Sequence, residues 1–288
     1  MRLAVLDRLR CAVCLAGGRE PGYEVDPTRW GGGEDGGAPG DLLEGYLVCR
    51  ACRAARFVVG GVPVLPVDLV RHLRTHGNVY RRTPIGDPRV TRFVLGLARG
   101  GADVVPFDEV VARYGDLLPA DAAHPPRAMD PADAALDDAL RARGARGPAL
   151  EIGCGVGRGT FVLAGRTGDA TGLDRSVARV RRARNVQTTA EFRLPAEDGA
   201  RAETALDLAR LARAGADFAV ADPSALPFAS GTFATVVVRA RDGEGAWTDE
   251  GAVLREARRV ARQGGVLLVE VVRESGGPRF DDVPVAPS

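Results

Sequence analysis

From residue 148 onward, short apolar runs alternate with stretches whose apolar positions recur every three or four residues. The alternation predicts strands at 149–153, 170–174, 217–222, 232–238 and 265–272, and helices at about 157–165, 176–184 and 250–261. Strand and helix taken in turn imply an α/β fold with a parallel sheet. Between 67 and 147 the periodicity is helical in patches, "VDLVRHLRTH", "DPRVTRFVLGLARG", "PFDEVVARYGDLL" and "DPADAALDDALRARG", each closed off by proline or glycine. The connection 185–216 exceeds what a helix-to-strand turn needs, and its helical "AETALDLARLARAG" reads as an insertion on the rim of the sheet. The chain thus divides into 1–66, 67–147 and 148–288.

The first unit is interrupted by "RWGGGEDGGAPGD", whose glycines and charges mark a loop. On either side of it stand Cys11-x2-Cys14 and Cys49-x2-Cys52. Two such knuckles complete a tetrahedral zinc shell with no open position, so the expected metal is structural. Charges at Arg2, Asp7, Arg8 and Arg10 interrupt any apolar leader, which points to a cytoplasmic protein with no membrane partner. Disulfides are disfavoured in that compartment. The 39 basic residues, all arginine, nearly cancel the 38 acidic ones. No global positive field invites nucleic acid or membrane, and a catalytic lysine is excluded. "RLRCAVC" together with "EGYLVCRACRAARFVVGGVPVLP" resembles the zinc-ribbon activator subunits of tRNA methyltransferases. Those usually sit on a chain separate from the methyltransferase, and here the ribbon is fused.

Candidate chemistry concentrates in "EIGCGVGRG". A dinucleotide fingerprint needs glycine at the sixth position from Gly153, and Arg158 stands there. The spacing Gly153, Gly155, Gly157, with Glu151 two residues ahead, suits an amino-acid head group: bare backbone lets the chain turn past it and the carboxylate attracts its ammonium. Asp174 closes the next strand, where a carboxylate accepts from a ribose diol, and Asp222 closes the third, within reach of an adenine amino group. Each has a plainer alternative. The glycines can serve tight packing, Asp174 a helix cap and Asp222 a turn. Cys154 reads as a small packing residue.

The ordered series "LEIGCGVGRGTFVLA", "GLDRS", "ADPSALPFASGTFATVVV" and "LREARRVARQGGVLLVE" resembles the motifs of class I S-adenosylmethionine-dependent methyltransferases. The resemblance implies a Rossmann-like sheet and that cofactor. It places Glu151, Gly153, Gly155 and Gly157 on the methionine side, Asp174 at the ribose and Asp222 at the adenine, with Leu226, Pro227 and Phe228 closing the adenine pocket and Cys154, Arg175 and Pro223 as further cofactor-binding candidates.

Three departures bear on activity. Pro223 lacks the N–H that the family aims at the adenine ring, Ala234 replaces a usual aspartate, and only 273–288 remain after the fifth strand. Those residues are too few for a crossover helix and two strands, so the sheet should be shortened. Its last strand then needs cover from the ribbon, from 67–147 or from a second subunit in a homodimer. No catalytic base stands out. Asp242, Glu244 and Trp247 follow the fourth strand, and Tyr114 either reaches the cofactor or packs. His72 and His76, spaced i, i+4, read as a solvated helix face rather than a metal pair. Arginines 175, 179, 181, 182 and 184 could touch RNA. The leading reading is a methyltransferase of unidentified acceptor. An RNA-directed enzyme and a non-catalytic binding module are the alternatives.

Overall fold

The computed structural model describes residues 1–31, 39–98, 103, 105, 107–118, 127–189, 193–194, 204–211, 213, 215–239, 249–273 and 276–285. Two one-turn helices, α1 (Leu3–Leu6) and α2 (Ala12–Leu15), precede an antiparallel meander of β1 (Tyr23–Trp30), β2 (Leu42–Cys49), β3 (Ala55–Val59) and β4 (Val62–Val64). The buried Arg56 guanidinium donates to the carbonyls of Pro66 and Val67, fixing where the chain leaves β4.

Five helices follow: α3 (Leu69–Thr75), α4 (Gly77–Arg81), α5 (Pro88–Leu97), α6 (Phe107–Tyr114) and α7 (Pro131–Ala142). Two start on an Asp-Pro step. Asp87 and Asp130 accept from backbone N–H groups of the first turn, and the following proline has no N–H to leave unsatisfied.

The third segment runs β5 (Ala149–Ile152), α8 (Arg158–Thr167), β6 (Ala170–Asp174), α9 (Val177–Thr188), a two-residue pair β7 (Arg193–Leu194) and β8 (Thr204–Ala205), then β9 (Ala216–Val220), β10 (Phe233–Val238), α10 (Glu250–Val260), β11 (Ala261–Arg273) and β12 (Gly276–Asp282). The expected helix in "AETALDLARLARAG" is absent from its described residues. They hold β8 and one 3-10 turn, with Leu206, Leu208 and Leu211 all buried. The Asp207 N–H donates instead to the Leu117 carbonyl.

One sheet of ten strands, ordered β1-β2-β3-β4-β9-β6-β5-β10-β11-β12, runs through the first and third segments. Strands β9, β6, β5, β10 and β11 are mutually parallel. The meander joins them through β4, parallel to β9, with the Leu65 N–H donating to the Val220 carbonyl at 2.8 Å. At the other end β12 turns back antiparallel on β11. The cover expected from the ribbon, from 67–147 or from a second subunit is supplied instead by β12. Helix α7, from the middle segment, packs on that strand, and Arg143 pairs with Asp282 at 2.9 Å. A hairpin needs only a tight turn, so sixteen residues suffice where a crossover would not fit.

Each face of the sheet carries its own core. Phe57, Tyr80, Tyr114, Phe161 and Phe218 lie under α3 to α9 on one face. Leu9, Leu42, Phe228, Phe233 and Val260 lie with α1, α2 and α10 on the other. The chain order along the sheet reverses between β5 and β10, and ligands of such sheets bind beyond the strand ends at that reversal.

Candidate cofactor site and metal centre

Alternation along β5 sends Leu150 and Ile152 into one core and Glu151 to the opposite face, beneath α8. There the Thr160 hydroxyl donates to Glu151 Oε2. A Cβ on Gly159 would stand 2.1 Å from Glu151 Oε1, so only glycine fits at the second position of α8 while this carboxylate lies beneath it. The turn between β5 and α8 holds Gly153, Gly155 and Gly157 at φ 83°, 56° and 92°. Cys154 is buried in it, and the Gly157 N–H bonds back to the Cys154 carbonyl. Tyr114 is fully buried and donates to the Val156 carbonyl at 2.5 Å, so it braces this turn from the middle segment.

Asp174, at the end of β6, is buried. Its Oδ2 accepts from the Gly155 N–H and its Oδ1 from the Ser176 N–H, both at 2.9 Å, while Ser176 caps α9. Asp222 is exposed beyond β9, and its Oδ1 accepts from the Ser224 N–H and hydroxyl. Arg175, Asp222 and Pro223 line one cavity of about 420 Å³, whereas Leu226 is buried beside it in the core. Glu151 and Asp174 do not line that cavity. The three carboxylates occupy successive strand ends but open on no common hollow, because main-chain and side-chain donors already hold the two inner ones.

A charged cluster that the sequence reading passed over lies next to Glu151. Arg239, the residue after β10, is buried with Nη1 3.2 Å from Asp133 Oδ1 and Nε 3.2 Å from Glu270 Oε2 and 3.9 Å from Glu151 Oε1. Its guanidinium lies 5.5 Å over the Phe280 ring of β12, and Arg113 reaches Asp133 at 2.7 Å. Burial raises the carboxyls of Glu151, Asp133 and Glu270, Glu151 to about 7, against the pull of the guanidiniums. Among the described residues, Glu151 Oε1 and Asp133 Oδ2 are buried without a hydrogen-bond donor. The available signal was an arginine directly following "TVVV", at the mouth of a buried strand. Asp242, Glu244 and Trp247 fall outside the described residues.

His72 and His76 do not form a solvated face. His72 is buried and its Nε2 lies 2.9 Å from the Tyr80 hydroxyl. Burial and the neighbouring His76 lower its pKa to about 3, with Asp103 opposing. The two imidazoles sit 4.5 Å apart because the helix turns both toward the body of the protein.

The four N-terminal cysteines meet. Cys11 Sγ lies 3.7 Å from Cys52 Sγ and Cys14 Sγ 3.8 Å from Cys49 Sγ, with all four sulfurs within 4.8 Å of one another and none in a disulfide. Zinc–sulfur bonds of about 2.3 Å at tetrahedral angles give sulfur–sulfur edges of about 3.8 Å, so the set has the size of a zinc shell. The Cys49 sulfur also accepts from the N–H groups of Ala51 and Cys52, which shapes the knuckle.

A family described as "Methyltransferase domain" matches residues 150–269, from β5 to β11. The match covers less than half of the chain. No curated protein matches the chain. Among solved structures, the YcgJ protein of Bacillus subtilis is 19% identical over 48% of this chain and 50% of its own, with a TM-score of 0.35. A protein of Pyrococcus horikoshii is 23% identical over 47% and 50%, with a TM-score of 0.36. A geranyl diphosphate methyltransferase in complex with GPP and sinefungin is 20% identical over 48% and 44%, with a TM-score of 0.34. The chain spans about half the length of the solved structures it matches.

The matched region contributes the glycine turn, Asp174, Asp222 and Arg239, while Tyr114, Asp133 and Arg113 reach the same strand ends from outside it. One acceptor fits S-adenosylmethionine. Among the described residues Glu151 Oε1 is a buried acceptor lacking a donor, beside a left-handed glycine turn at a helix N-terminus, and an ammonium would supply what that oxygen lacks. Among the described residues no helix is long and apolar enough to cross a membrane.

Proposed function

We propose that the chain is a class I S-adenosylmethionine-dependent methyltransferase whose N-terminal 66 residues are a structural zinc ribbon, resembling the tRNA-methyltransferase activator subunits, fused through residues 67–147. The observation that carries this reading is the coincidence of the matched domain with a glycine turn whose Gly155 N–H is tied to the carboxylate ending the next strand. In this reading Glu151 takes the cofactor's ammonium, Gly153 to Gly157 with Cys154 pass its amino-acid end, and Asp174 takes the ribose. Arg175, Asp222 and Pro223 face the adenosine, and Leu226 backs the adenine wall. When bound, the cofactor supplies a sulfonium-activated methyl group for an oxygen, nitrogen or carbon nucleophile. Cys11, Cys14, Cys49 and Cys52 hold zinc with no open position, a set that a reducing, cytoplasmic setting keeps from pairing as disulfides.

Calorimetric titration with S-adenosylmethionine and S-adenosylhomocysteine tests the reading, followed by transfer of labelled methyl to fractionated cell extract. Saturable binding is expected, weakened about tenfold or more in Asp174→Ala, which loses a charge-assisted ribose contact. Failure of the wild type to bind either ligand would remove it. A binding module without turnover is the second reading, supported by Pro223, Ala234 and the closed setting of Glu151 and Asp174. Binding without label transfer to any fraction would favour it. The RNA-directed alternative draws little from α9, since Arg179 pairs with Glu109, Arg184 with Asp41, and Arg181 with the Thr83 hydroxyl.

A further inference from the structure

The cavity holding Arg175, Asp222 and Pro223 is closed on its far side by α3, which belongs to the middle segment and lies outside the matched domain. His72, Thr75 and His76 line that wall. At about 420 Å³ the cavity is within the usual size of a small-ligand site, about 300–1,000 Å³. Two of its polar groups are already engaged: His72 Nε2 with the Tyr80 hydroxyl, and the Thr75 hydroxyl with the Arg71 carbonyl. His76 differs. Its Nδ1 is buried 2.9 Å from Asp103 Oδ2, close enough for an ion pair though poorly aligned as a hydrogen bond. Among the described residues its Nε2 makes no hydrogen bond, and His76 lines the cavity.

Asp103 does more than hold the imidazole. The same carboxylate accepts from the Ser176 hydroxyl at 2.5 Å and from the Ala178 N–H at 3.1 Å, at the start of α9 and two residues past Asp174. One buried carboxylate therefore registers His76 against the strand end assigned to the ribose. Proton placement follows from that brace. A carboxylate 2.9 Å from Nδ1 favours the proton on that nitrogen, which leaves the lone pair on Nε2 as an acceptor.

We infer that His76 is a positioning residue for the cofactor's base, its Nε2 accepting one hydrogen of the adenine amino group while Asp222 accepts the other. The inference rests on the methyltransferase reading and adds to it a contact from outside the matched domain. Two acceptors on one amino group select adenine over a base with a carbonyl at that position, whose lone pairs would face both. They also supply base recognition on a wall where Pro223 has no N–H to offer.

The test is calorimetric titration of the full chain with S-adenosylhomocysteine and its 6-oxo counterpart, S-inosylhomocysteine. The wild type should prefer the adenosyl ligand. His76→Phe keeps a ring beside His72 but has no acceptor, and should lower that preference about tenfold, the worth of one hydrogen bond. His76→Gln, whose amide oxygen still accepts, should recover most of it. A general loss of fold would weaken both ligands alike and leave their ratio unchanged. An unchanged ratio in His76→Phe, or a wild type that binds both ligands equally, would overturn the inference while leaving the methyltransferase reading standing. A wild type that binds neither removes both.

Discussion

Glu151 is the residue on which the proposed site turns, and its burial makes it a pH-dependent weakness. Its carboxyl titrates near 7 in the folded protein against 4.5 for an unperturbed glutamate, chiefly through burial, with Arg239 and Thr160 opposing. Between those values the folded chain holds a proton that the unfolded chain has released. The free energy of unfolding therefore falls as pH rises from about 4.5 to about 7, and the loss is complete above that. Glu151→Gln keeps an acceptor for Thr160 and removes the buried charge. It should exceed the wild type in stability by on the order of 2–3 kcal/mol at pH 8 and match it below about pH 4.5, as read by urea denaturation across that range. A gap that does not vary with pH would contradict the burial argument. The same variant should bind S-adenosylhomocysteine more weakly, having lost the partner for its ammonium. Glu151 was legible in the sequence because it precedes the glycine turn. Its neighbours were not, since Asp133 and Arg239 reach it across α7 and β10 and no sequence spacing encodes that meeting.

The helix that covers Glu151 starts on Gly157, and local geometry fixes that choice. At φ 92° an L side chain is strained, and a Cβ there would stand 2.5 Å from Ala183 Cβ and 2.9 Å from the Phe218 ring. Gly144 is a useful contrast, at φ 59° with nothing within 4 Å of an added Cβ. Gly144→Ala should cost about 1 kcal/mol from backbone strain alone, whereas Gly157→Ala adds overpacking and should cost about 3 kcal/mol or more. Denaturant midpoints of the two variants measure the difference, and equal losses would show that the packing around α8 yields. Elements of this kind were the most legible part of the chain. Central parallel strands are apolar on both faces and stop where glycine or aspartate follows, so β5, β6, β9 and β10 fall within about two residues of their expected bounds. Elsewhere tertiary contact overrides pattern. The i, i+4 histidines look like a polar stripe until Tyr80 and Asp103 are seen beneath them. The leucines of 206–211 look helical until Leu117 takes the Asp207 N–H.

Across the whole molecule, both outer strands carry their own protection. Pro27 with Glu24, Asp26 and Arg29 marks β1, and Pro278 with Arg279, Asp281 and Asp282 marks β12. The composition of the last sixteen residues argued against a crossover and was equally suited to a charged edge strand, which is why the sequence foretold a shortened sheet but not its closing hairpin. Least legible was the joining of the cysteine-bearing meander to the sheet, since β4 lends only three residues to it. The joint is reinforced by side chains. Arg2 reaches Asp217 and Asp169, Arg8 reaches Asp169, Arg184 reaches Asp41, and Leu9 bridges to Phe228. Metal at the four cysteines should therefore stabilise more than the meander, because β9 is held on one side by β4 and leads directly to Asp222. Stripping the metal with a chelator should lower the melting temperature and raise amide exchange at Leu65, whose N–H bonds to Val220, while the amides shared by β5 and β10 stay protected. Affinity for S-adenosylhomocysteine should fall with it, and Cys49→Ser should reproduce both effects without chelator. If exchange at Leu65 and cofactor affinity are indifferent to the metal, the meander is merely attached to the sheet. If they move together, the cysteine cluster is a mechanical part of the cofactor site.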